Sequence, residues 1–223
     1  MPELFRIPDD FSNEARLFPL PGLVLFPCNV QPLHVFESRY QEMLEDAMMT
    51  DRIIALATLA PGYDQNEYYG RPALAPTICV GQVTNCEKTE RGTYNLLLVG
   101  LKRAVIEQEL SPNRSFREAK VRLLDDSRSP GASAREKTLA RTIIDRLHRL
   151  APSSSDMLNE LMKRELSLGE LTDILAFHIN LDLSTKLSLL AETNAETRAK
   201  LMLDAMPSRD QPDAGDLPRF SMN

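Results

Sequence analysis

A short segment, residues 125–132, separates two halves of the chain whose apolar residues follow different periods. Before it, apolar runs are short, rich in β-branched residues and interrupted by proline or glycine, which is typical of strands. After it, apolar residues recur every three or four positions, which is typical of amphipathic helices. The segment itself, DDSRSPGA, has the composition of a linker. The change of period predicts an α+β protein with a strand-rich N-terminal domain over 15–124 and an all-helical domain over 133–206.

The N-terminal half is predicted to hold about six or seven strands. Their short length and spacing favour a small barrel or a sandwich. One helix, Glu37–Met49, interrupts them, and its apolar face would cap the open end of a barrel. That face comprises Tyr40, Met43, Leu44, Ala47 and Met48. The predicted extended runs are Leu17–Leu20, Val24–Phe26, Gln31–Phe36, Ile53–Leu59, Ile78–Cys86, Tyr94–Val99, Arg103–Gln108 and Phe116–Leu124.

The C-terminal half is predicted to hold four to five helices. Three of them begin with a candidate capping box, in which a Ser or Thr and a Glu three residues later satisfy each other's backbone N–H groups. Two shorter helices are predicted at Met157–Leu166 and Ser184–Ala191. Residues 1–14 are predicted to be an extension, and residues 207–223 a flexible tail. The capping boxes are Ser133 with Glu136, Ser167 with Glu170, and Thr193 with Glu196.

Composition narrows the class of function. Hydrophobic residues make up 43% and charged residues 26%, as in ordinary soluble globular proteins. No apolar run is long enough to span a bilayer, and the N-terminus does not read as a signal peptide, so a cytoplasmic location without membrane contact is expected. The net charge of −6 argues against a nucleic-acid partner, because phosphate binding relies on basic side chains.

Cysteine and histidine spacing does not suggest a metal site. Cys28, Cys79 and Cys86 lack the spacing of zinc ligands and are expected to be buried free thiols. His34 is expected to fix the turn before the helix by bonding a strand carbonyl. His148 is expected to be exposed on its helix and His178 to pack at a helix end. No glycine-rich phosphate loop is present either, so neither a metal nor a cofactor is predicted.

Several blocks of sequence together resemble the N-terminal substrate-recognition domain of the ATP-dependent protease Lon. The blocks are Leu17–Tyr40, with the sequence LFPLPGLVLFPCNVQPLHVFESRY, then Val80–Val83, Tyr94–Arg103 and Leu171–Met206. The similarity extends from about Arg16 to Met206. It implies a pseudo-barrel related to the PUA domain, followed by a helical bundle. Stand-alone versions of this domain occur in bacteria, and eukaryotic relatives use it for protein contacts.

The resemblance also implies a set of structural residues. Gly81 and Gly100 are expected to permit a bulge or a close backbone approach. Arg39 or Arg103 is expected to pair with Glu37 or another carboxylate of the barrel. The full family motif comprises Pro27, His34, Phe36, Glu37, Arg39, Tyr40, Gly81, Gly100 and Arg103.

The function implied is binding of unfolded segments or of a specific protein partner, without ATP and without catalysis, because the Lon peptidase and its Ser–Lys dyad belong to another domain. The candidate contact residues are Tyr63, Tyr68 and Tyr69 on loop 61–76, with Met43 and Met48, since tyrosine and methionine suit adaptable protein recognition. The alternative for these side chains is ordinary core packing. The alternative function, by analogy with the PUA fold, is RNA binding.

Overall fold

A computed structural model describes residues 6–63, 70–151, 158, 160–161 and 163–207. The chain divides into two compact units between Asp125 and Asp126. We call the part up to Asp125 unit 1 and the part from Asp126 unit 2. Unit 1 contains the strands and one helix, whereas the regular elements of unit 2 within the described residues are helices.

Unit 1 is built on a six-stranded sheet with the order β2-β5-β4-β3-β1-β6. Because β5 also pairs with β6, the strands β5, β4, β3, β1 and β6 form a closed ring to which β2 is added. Among the described strand pairs, β1 and β3 run parallel, and the others are antiparallel. The strands are β1 (Glu14–Leu20), β2 (Val30–Val35), β3 (Ile53–Thr58), β4 (Thr77–Lys88), β5 (Tyr94–Glu109) and β6 (Arg117–Leu124).

Strand β5 is the element that closes the ring. The sequence predicted two strands here, Tyr94–Val99 and Arg103–Gln108, and this was wrong because one strand of 16 residues runs through both. The first half of β5 pairs with β2, and the second half pairs with β6. β5 can therefore pair with both β2 and β6 on the same side, because each of them pairs with a different half of the strand.

Two glycines allow the backbone to approach closely around β5. At Gly81 on β4 the register shifts, and a side chain there would press on the carbonyl oxygen of Val99. At Gly100 a side chain would overlap the backbone carbonyl of Phe26. The Gly100 N–H also donates to the Asn29 carbonyl at 2.8 Å. The predicted bulge and close approach are therefore confirmed.

Small and branched side chains fill the interior of the ring. All six residues of β3 are buried, which confirms the prediction of a strand that is buried on both faces. The run Val24–Phe26 is also buried, but it lies outside any strand, so its prediction as a strand was wrong. The core cluster comprises Ala15, Leu17, Ile53, Ala55, Ala57, Ile78, Val80, Ala104, Ala119 and Val121.

Helix α1 (Ser38–Met49) has the apolar face that its sequence predicts. Tyr40, Met43, Leu44 and Ala47 are buried on it. The helix is tied to β1 by Arg16, whose side chain is only 12% exposed. Arg16 donates to Asp46 at 2.6 Å and to Asp51 at 2.8 Å.

Unit 2 contains α2 (Ala132–Leu150), α3 (Leu168–His178), α4 (Leu183–Ala191) and α5 (Ala195–Ala205). The capping box of Ser167 and Glu170 is confirmed at the start of α3. The other two were wrong. Helix α2 begins after Gly131 without a side-chain cap, and Asn194 caps α5 by accepting from the Thr197 N–H. Asn194, one residue after Thr193, is the N-cap residue because an asparagine side chain accepts a hydrogen bond from a backbone N–H as well as a threonine side chain does.

In the predicted helix Met157–Leu166, residues 158, 160, 161 and 163 are helical, whereas residues 164–166 are not, so the predicted end of the helix was wrong. Of the predicted tail 207–223, residues 208–223 lie outside the described residues. Leu158 and Leu161 are described, and both are buried and helical.

Arg198 on α5 is the centre of a buried polar cluster in unit 2. Its side chain is fully buried. It donates to Thr172 at 2.9 Å, to the Glu192 carbonyl at 2.6 Å and to both carboxylate oxygens of Asp126 at 3.2 and 2.5 Å. The Asp173 carboxylate lies 3.4 Å from its Nε. A buried charge needs such complete pairing, because leaving it unpaired is costly.

Candidate functional site

The predicted contact residues are only partly at the surface. Met43 is fully buried in the core, so it does not offer a contact surface in this conformation, whereas Met48 is half-buried. Tyr63 is half-buried, and its N–H donates to the Ala60 carbonyl at 3.3 Å. Tyr68 and Tyr69 lie outside the described residues. The contact role of Tyr63 and Met48 stays a prediction.

A more exposed apolar surface lies on β2. Val30, Pro32, His34 and Phe36 alternate with buried or half-buried residues and are all exposed, and we call these four residues the β2 ridge. The exposed fraction is 47% for Val30 and 65% for Phe36. Val30 and Phe36 stand at the two ends of this row of exposed side chains, with Pro32 and His34 between them. A row of exposed residues is more informative than a single exposed residue.

The ridge lies at the edge of the sheet. Within the described residues β2 pairs with β5 alone, so its other side carries no strand. Pro32 has no N–H to offer at that edge, which discourages the addition of another strand. A partner is therefore expected to meet the side chains of the ridge rather than its backbone.

His34 is held in place on the ridge. Its Nδ1 lies 2.7 Å from Oδ1 of Asn95, its direct partner across β5, and its ring stacks near Phe36 with centroids 6.1 Å apart. The predicted bond to a strand carbonyl was therefore wrong, since the imidazole bonds the side-chain amide of Asn95 instead. The contacts orient the imidazole and the Phe36 ring at the surface.

A second surface feature of unit 1 is a cleft lined with arginines. Its volume is about 200 Å³, and a smaller hollow that shares several of its residues adjoins it. None of the described residues that line it is acidic. We call it the arginine cleft, and its lining comprises Arg39, Tyr40, Gly70, Arg71, Pro112, Arg114, Ser115, Phe116 and Arg117.

Two buried rings form the apolar side of the arginine cleft. Tyr40 is 5% exposed and Phe116 is 4% exposed. The Arg39 guanidinium lies 4.7 Å from the centroid of the Tyr40 ring, and that of Arg114 lies 5.5 Å from the Phe116 ring. Such cation–π contacts fix the orientation of the planar guanidinium groups.

Arg39 and Arg117 are each held by a glutamate. Arg39 donates to Glu37 at 2.8 Å, so the predicted pairing of these residues is confirmed. Arg117 binds both oxygens of Glu109, at 2.9 and 2.5 Å, and also donates to the Pro72 carbonyl at 2.8 Å. Bidentate pairing of this kind gives the Arg117 side chain a single position.

Asp46 connects the arginine cleft to α1. Its carboxylate accepts from Arg16 at 2.6 Å and from Arg114, also at 2.6 Å. Burial by itself would raise the pKa of Asp46, but the hydrogen bonds and charges of Arg16 and Arg114 outweigh it, so the pKa lies below the ordinary value of 3.8. Asp46 is therefore ionised at neutral pH and positions Arg114.

The remaining motif residues are structural. Pro27 is buried, and its carbonyl accepts from the Asn29 side chain at 2.9 Å. Arg103 on β5 is buried, with 3% of its surface exposed. Both residues therefore belong to the interior of unit 1 rather than to a surface that a partner could reach.

The cysteines and the other histidines differ in part from expectation. Cys79 is buried, whereas Cys28 and Cys86 are half-buried, and all three are free thiols. His178 ends α3 against Phe177, as predicted, and burial lowers its pKa. His148 was predicted to be exposed, and this was wrong because its Nε2 is buried.

The described residues do not form a group of three or more His, Cys, Asp and Glu side chains that could hold a metal ion. Within the described ranges, none of the helices combines the length and the apolar character needed to cross a membrane.

A comparison against known families identifies the family of the chain. Residues 14–208 match the family described as the ATP-dependent protease La (LON) substrate-binding domain. The chain therefore belongs to this family. The match confirms the resemblance that the sequence blocks suggested.

The similar full-length proteins are Lon proteases. Lon protease 1 of Bacillus subtilis (strain 168) is 27% identical over 204 residues, which are 88% of this chain and 25% of that protein. The Lon protease of Heliobacterium modesticaldum is 26% identical over 197 residues, which are 87% of this chain and 24% of that protein. The chain thus spans about a quarter of the length of these relatives, and what it matches is the substrate-binding domain.

Two solved structures share the fold. A Lon N-terminal domain protein from Xanthomonas campestris has a TM-score of 0.61 at 22% identity, covering 87% of this chain and 99% of that one. The N-terminal domain of a Mycobacterium avium complex Lon protease has a TM-score of 0.64 at 14% identity, covering 86% of this chain and 96% of that one. At these identities the likeness concerns the fold.

Sequence reasoning missed the arginine cleft. Arg71, Arg114 and Arg117 lie in segments far from Arg39 along the chain, and no local pattern joins them. Phe36 was named as a motif residue, but its exposure was not foreseen. Polar and apolar residues occur at both alternating sets of positions over residues 30–37, so no polarity pattern marked the ridge.

Proposed function

We propose that this chain binds polypeptide segments that expose apolar side chains, without ATP and without catalysing a reaction. Membership of the Lon substrate-binding domain family supports a role in substrate recognition. The observation that carries the proposal is the β2 ridge, where Val30, at the start of the edge strand, exposes 47% of its surface and Phe36, directly after its end, exposes 65%. Unfolded chains expose the complementary apolar and aromatic groups.

The shape of the ridge suits side-chain docking. Leu97, on β5 opposite Pro32, is half-buried and extends the apolar surface beyond β2. Removing apolar surface from water contributes roughly 25 cal/mol per Å². A ridge of a few exposed side chains favours weak, exchangeable binding of many sequences over tight binding of one, which suits a client receptor.

The closed ring of five strands supports the inference that unit 1 is a PUA-like pseudo-barrel. The helices α2 to α5 support the inference that unit 2 is a helical bundle. A cytoplasmic site of action remains part of the proposal. So does the absence of peptidase activity, since the family match is to a recognition domain rather than to a catalytic one.

The test is a binding titration with a permanently unfolded polypeptide, reduced and carboxymethylated α-lactalbumin carrying a fluorescent label. Val30→Ser together with Phe36→Ser removes the apolar part of the ridge at exposed positions. We expect this double variant to weaken binding by about tenfold, which corresponds to about 1.4 kcal/mol. Fluorescence anisotropy measures the dissociation constant, and circular dichroism checks that the fold persists.

The matched control is Leu201→Ser on α5, which changes an apolar side chain that is 38% exposed in unit 2. We expect this variant to bind like the native chain. Equal weakening by the control and the ridge variant would show that the ridge has no special role. Absence of binding by the native chain would overturn the proposed function itself.

RNA binding is the second candidate, and the four arginines of the arginine cleft favour it. Two features oppose it. The chain carries a net charge of −6, and the rings of the cleft, Tyr40 and Phe116, are too buried to stack on bases. A labelled RNA in the same titration, at low and high salt, separates the candidates, since RNA binding would weaken steeply with salt.

A further inference from the structure

We infer that the arginine cleft binds an acidic side chain, a glutamate or aspartate, of the polypeptide that the chain recognises. The inference rests on the proposed function and adds a charge preference to it. Its ligand is a planar carboxylate, which matches the fork of N–H donors that an arginine presents.

Donor groups remain available in the cleft. Glu109 already accepts from Arg117 on both oxygens, so Arg71 meets it only at 3.7 Å, too far for a hydrogen bond. Within the described residues Arg71 makes no hydrogen bond. Arg114 uses Nη1 for Asp46 and lies 3.6 Å from Glu118 through Nε, which leaves its Nη2 without a partner in the described part of the chain.

The two arginines with spare donors are also the accessible ones. The side chains of Arg71 and Arg114 are 44% and 43% exposed, against 11% for Arg117. Arg39 and Arg117 are occupied by Glu37 and Glu109 and serve as the fixed wall. The cleft therefore presents unused N–H donors toward solvent, and none of the described residues that line it is acidic.

The surroundings hold Arg114 in one orientation. Asp46 fixes its Nη1, and the Phe116 ring lies beneath its guanidinium. Because Arg114 is already oriented, less entropy is lost when a carboxylate binds. The carboxylate therefore binds with a more favourable free energy here than at a flexible surface arginine. Since Asp46 has a pKa below its ordinary value, this arrangement persists throughout the neutral range.

The size of the cleft favours one side chain. Its volume of about 200 Å³ is below the roughly 300–1,000 Å³ of pockets that enclose whole small molecules. The buried Tyr40 and Phe116 rings leave the arginine edges, rather than an aromatic face, as the accessible surface. A nucleobase would therefore find no accessible ring to stack on in the cleft, whereas a carboxylate would find arginine N–H donors.

The test compares two labelled peptides that share a short unstructured sequence of Leu, Phe, Ser and Gly. One carries two central glutamates, and the other carries glutamines at the same positions. We expect the native chain to bind the glutamate peptide about tenfold more tightly, in line with one charge-assisted interaction, and to lose this preference at high salt. Fluorescence anisotropy gives both dissociation constants.

Arg71→Gln and Arg114→Gln should each bring the ratio of the two dissociation constants toward one, while leaving affinity for the glutamine peptide unchanged. Arg71→Gln is the cleaner variant, because Arg71 makes no hydrogen bond within the described residues. The matched control is Arg122→Gln on β6, an exposed arginine outside the cleft that pairs with Glu107 at 3.1 Å. It should keep the native preference.

The outcomes separate the two proposals. If the native chain binds both peptides equally, the acidic preference is overturned and the proposed function stands. If it binds neither, the proposed function fails with it. If Arg122→Gln reduces the ratio as much as Arg71→Gln, overall charge rather than the cleft is responsible, which also overturns the inference. Preferential binding of a labelled RNA oligonucleotide that depends on Arg71 would reassign the cleft to phosphate.

Discussion

Arg198 in unit 2 and Arg71 in unit 1 carry the same guanidinium group in opposite surroundings. Arg198 is fully buried, and all three of its nitrogens are within hydrogen-bonding distance of acceptors. Arg71 is 44% exposed, and its one ion-pair contact within the described residues is at 3.7 Å. The first group is a closed structural element, whereas the second retains capacity to bind.

The difference shows that a cluster of arginines is a candidate binding site only when it has more N–H donors than the surrounding acceptor atoms can satisfy. In unit 2, Asp126, Thr172 and the Glu192 carbonyl satisfy Arg198 and exclude a further ligand. In unit 1, Glu109 is shared between Arg117 and Arg71 and satisfies only Arg117. Accessibility and hydrogen-bond stoichiometry therefore separate structural from functional arginines.

We expect the largest loss of stability from a substitution that removes Arg198 from its buried cluster. Arg198→Met keeps most of the side-chain volume but leaves the Asp173 carboxylate, which is 3% exposed, without its cation. Breaking a buried pair from one side costs roughly 3–5 kcal/mol. Urea unfolding measures the loss, and hydrogen exchange assigns it to unit 2.

The matched control for this variant is Arg141→Met, at an exposed position of α2. It should change the free energy of unfolding by less than about 0.5 kcal/mol. Equal stability of both variants would mean that the Arg198 cluster does not hold unit 2 together.

A smaller loss is expected from crowding the same cluster. Gly169 lies on α3, where replacing glycine by alanine ordinarily stabilises a helix by about 1 kcal/mol. Here the added methyl group would collide with the Asp126 carboxylate and approach Arg198 Nη2 to 3.0 Å. We expect Gly169→Ala to destabilise the protein by about 1–3 kcal/mol. Thermal melting decides the sign, and a gain in stability would contradict the closed packing described.

Asp46→Asn tests the support of the open cluster. It removes the negative charge shared by Arg16 and Arg114, at a side chain that is 17% exposed. We expect a loss of about 1–2 kcal/mol, less than for Arg198, because water reaches the group. Urea unfolding measures it, and the acidic-peptide preference should fall as well, since Arg114 loses its anchor.

The same pair of proteins gives a pH test. Because the folded state lowers the pKa of Asp46 below 3.8, its contribution to stability is complete above that pH and is lost as the pH falls through the lower, folded-state value. The native chain should therefore lose its stability advantage over Asp46→Asn as the pH decreases below about 4. A constant difference between pH 7 and pH 3 would contradict the ionic role of Asp46.

The smallest effect on stability is expected from Arg71→Gln. An exposed ion pair at 3.7 Å contributes between about 0 and 1 kcal/mol. The melting temperature should stay within a degree or two of the native value, while the preference for the acidic peptide falls. A substantial loss of stability would place Arg71 with Arg198 among the structural residues and remove the contrast between the two clusters.

Local patterns predicted the elements whose physics is local. The buried face of α1, the fully buried β3 and the capping box of Ser167 depend on neighbours a few residues away. The cap of α5 was misplaced because Thr193 and Asn194 are both good N-cap residues, and backbone geometry chose between them. The continuity of β5 was missed because Gly100 reads as a strand break in isolation.

The candidate site depended less on local pattern. Glu37 and Arg39 are near neighbours, so their pairing was predictable. Met43 and Met48 share one helix face in the sequence, but only packing decides that Met43 is fully buried and Met48 half-buried. The arginine cleft brings together residues from α1, from the segment before β4 and from the start of β6.

The amino-acid sequence was enough to establish the α+β class, the change of period between the two units and the membership of the Lon substrate-binding domain family. These follow from periodicity and from blocks of residues in order, which are properties of the chain read in one dimension. The closure of the ring through β5, the exposure of the β2 ridge and the excess of donors in the arginine cleft were decided only by the tertiary structure. The reason is that burial and hydrogen-bond stoichiometry depend on which distant residues meet, and the spacing of residues along the chain does not specify those meetings.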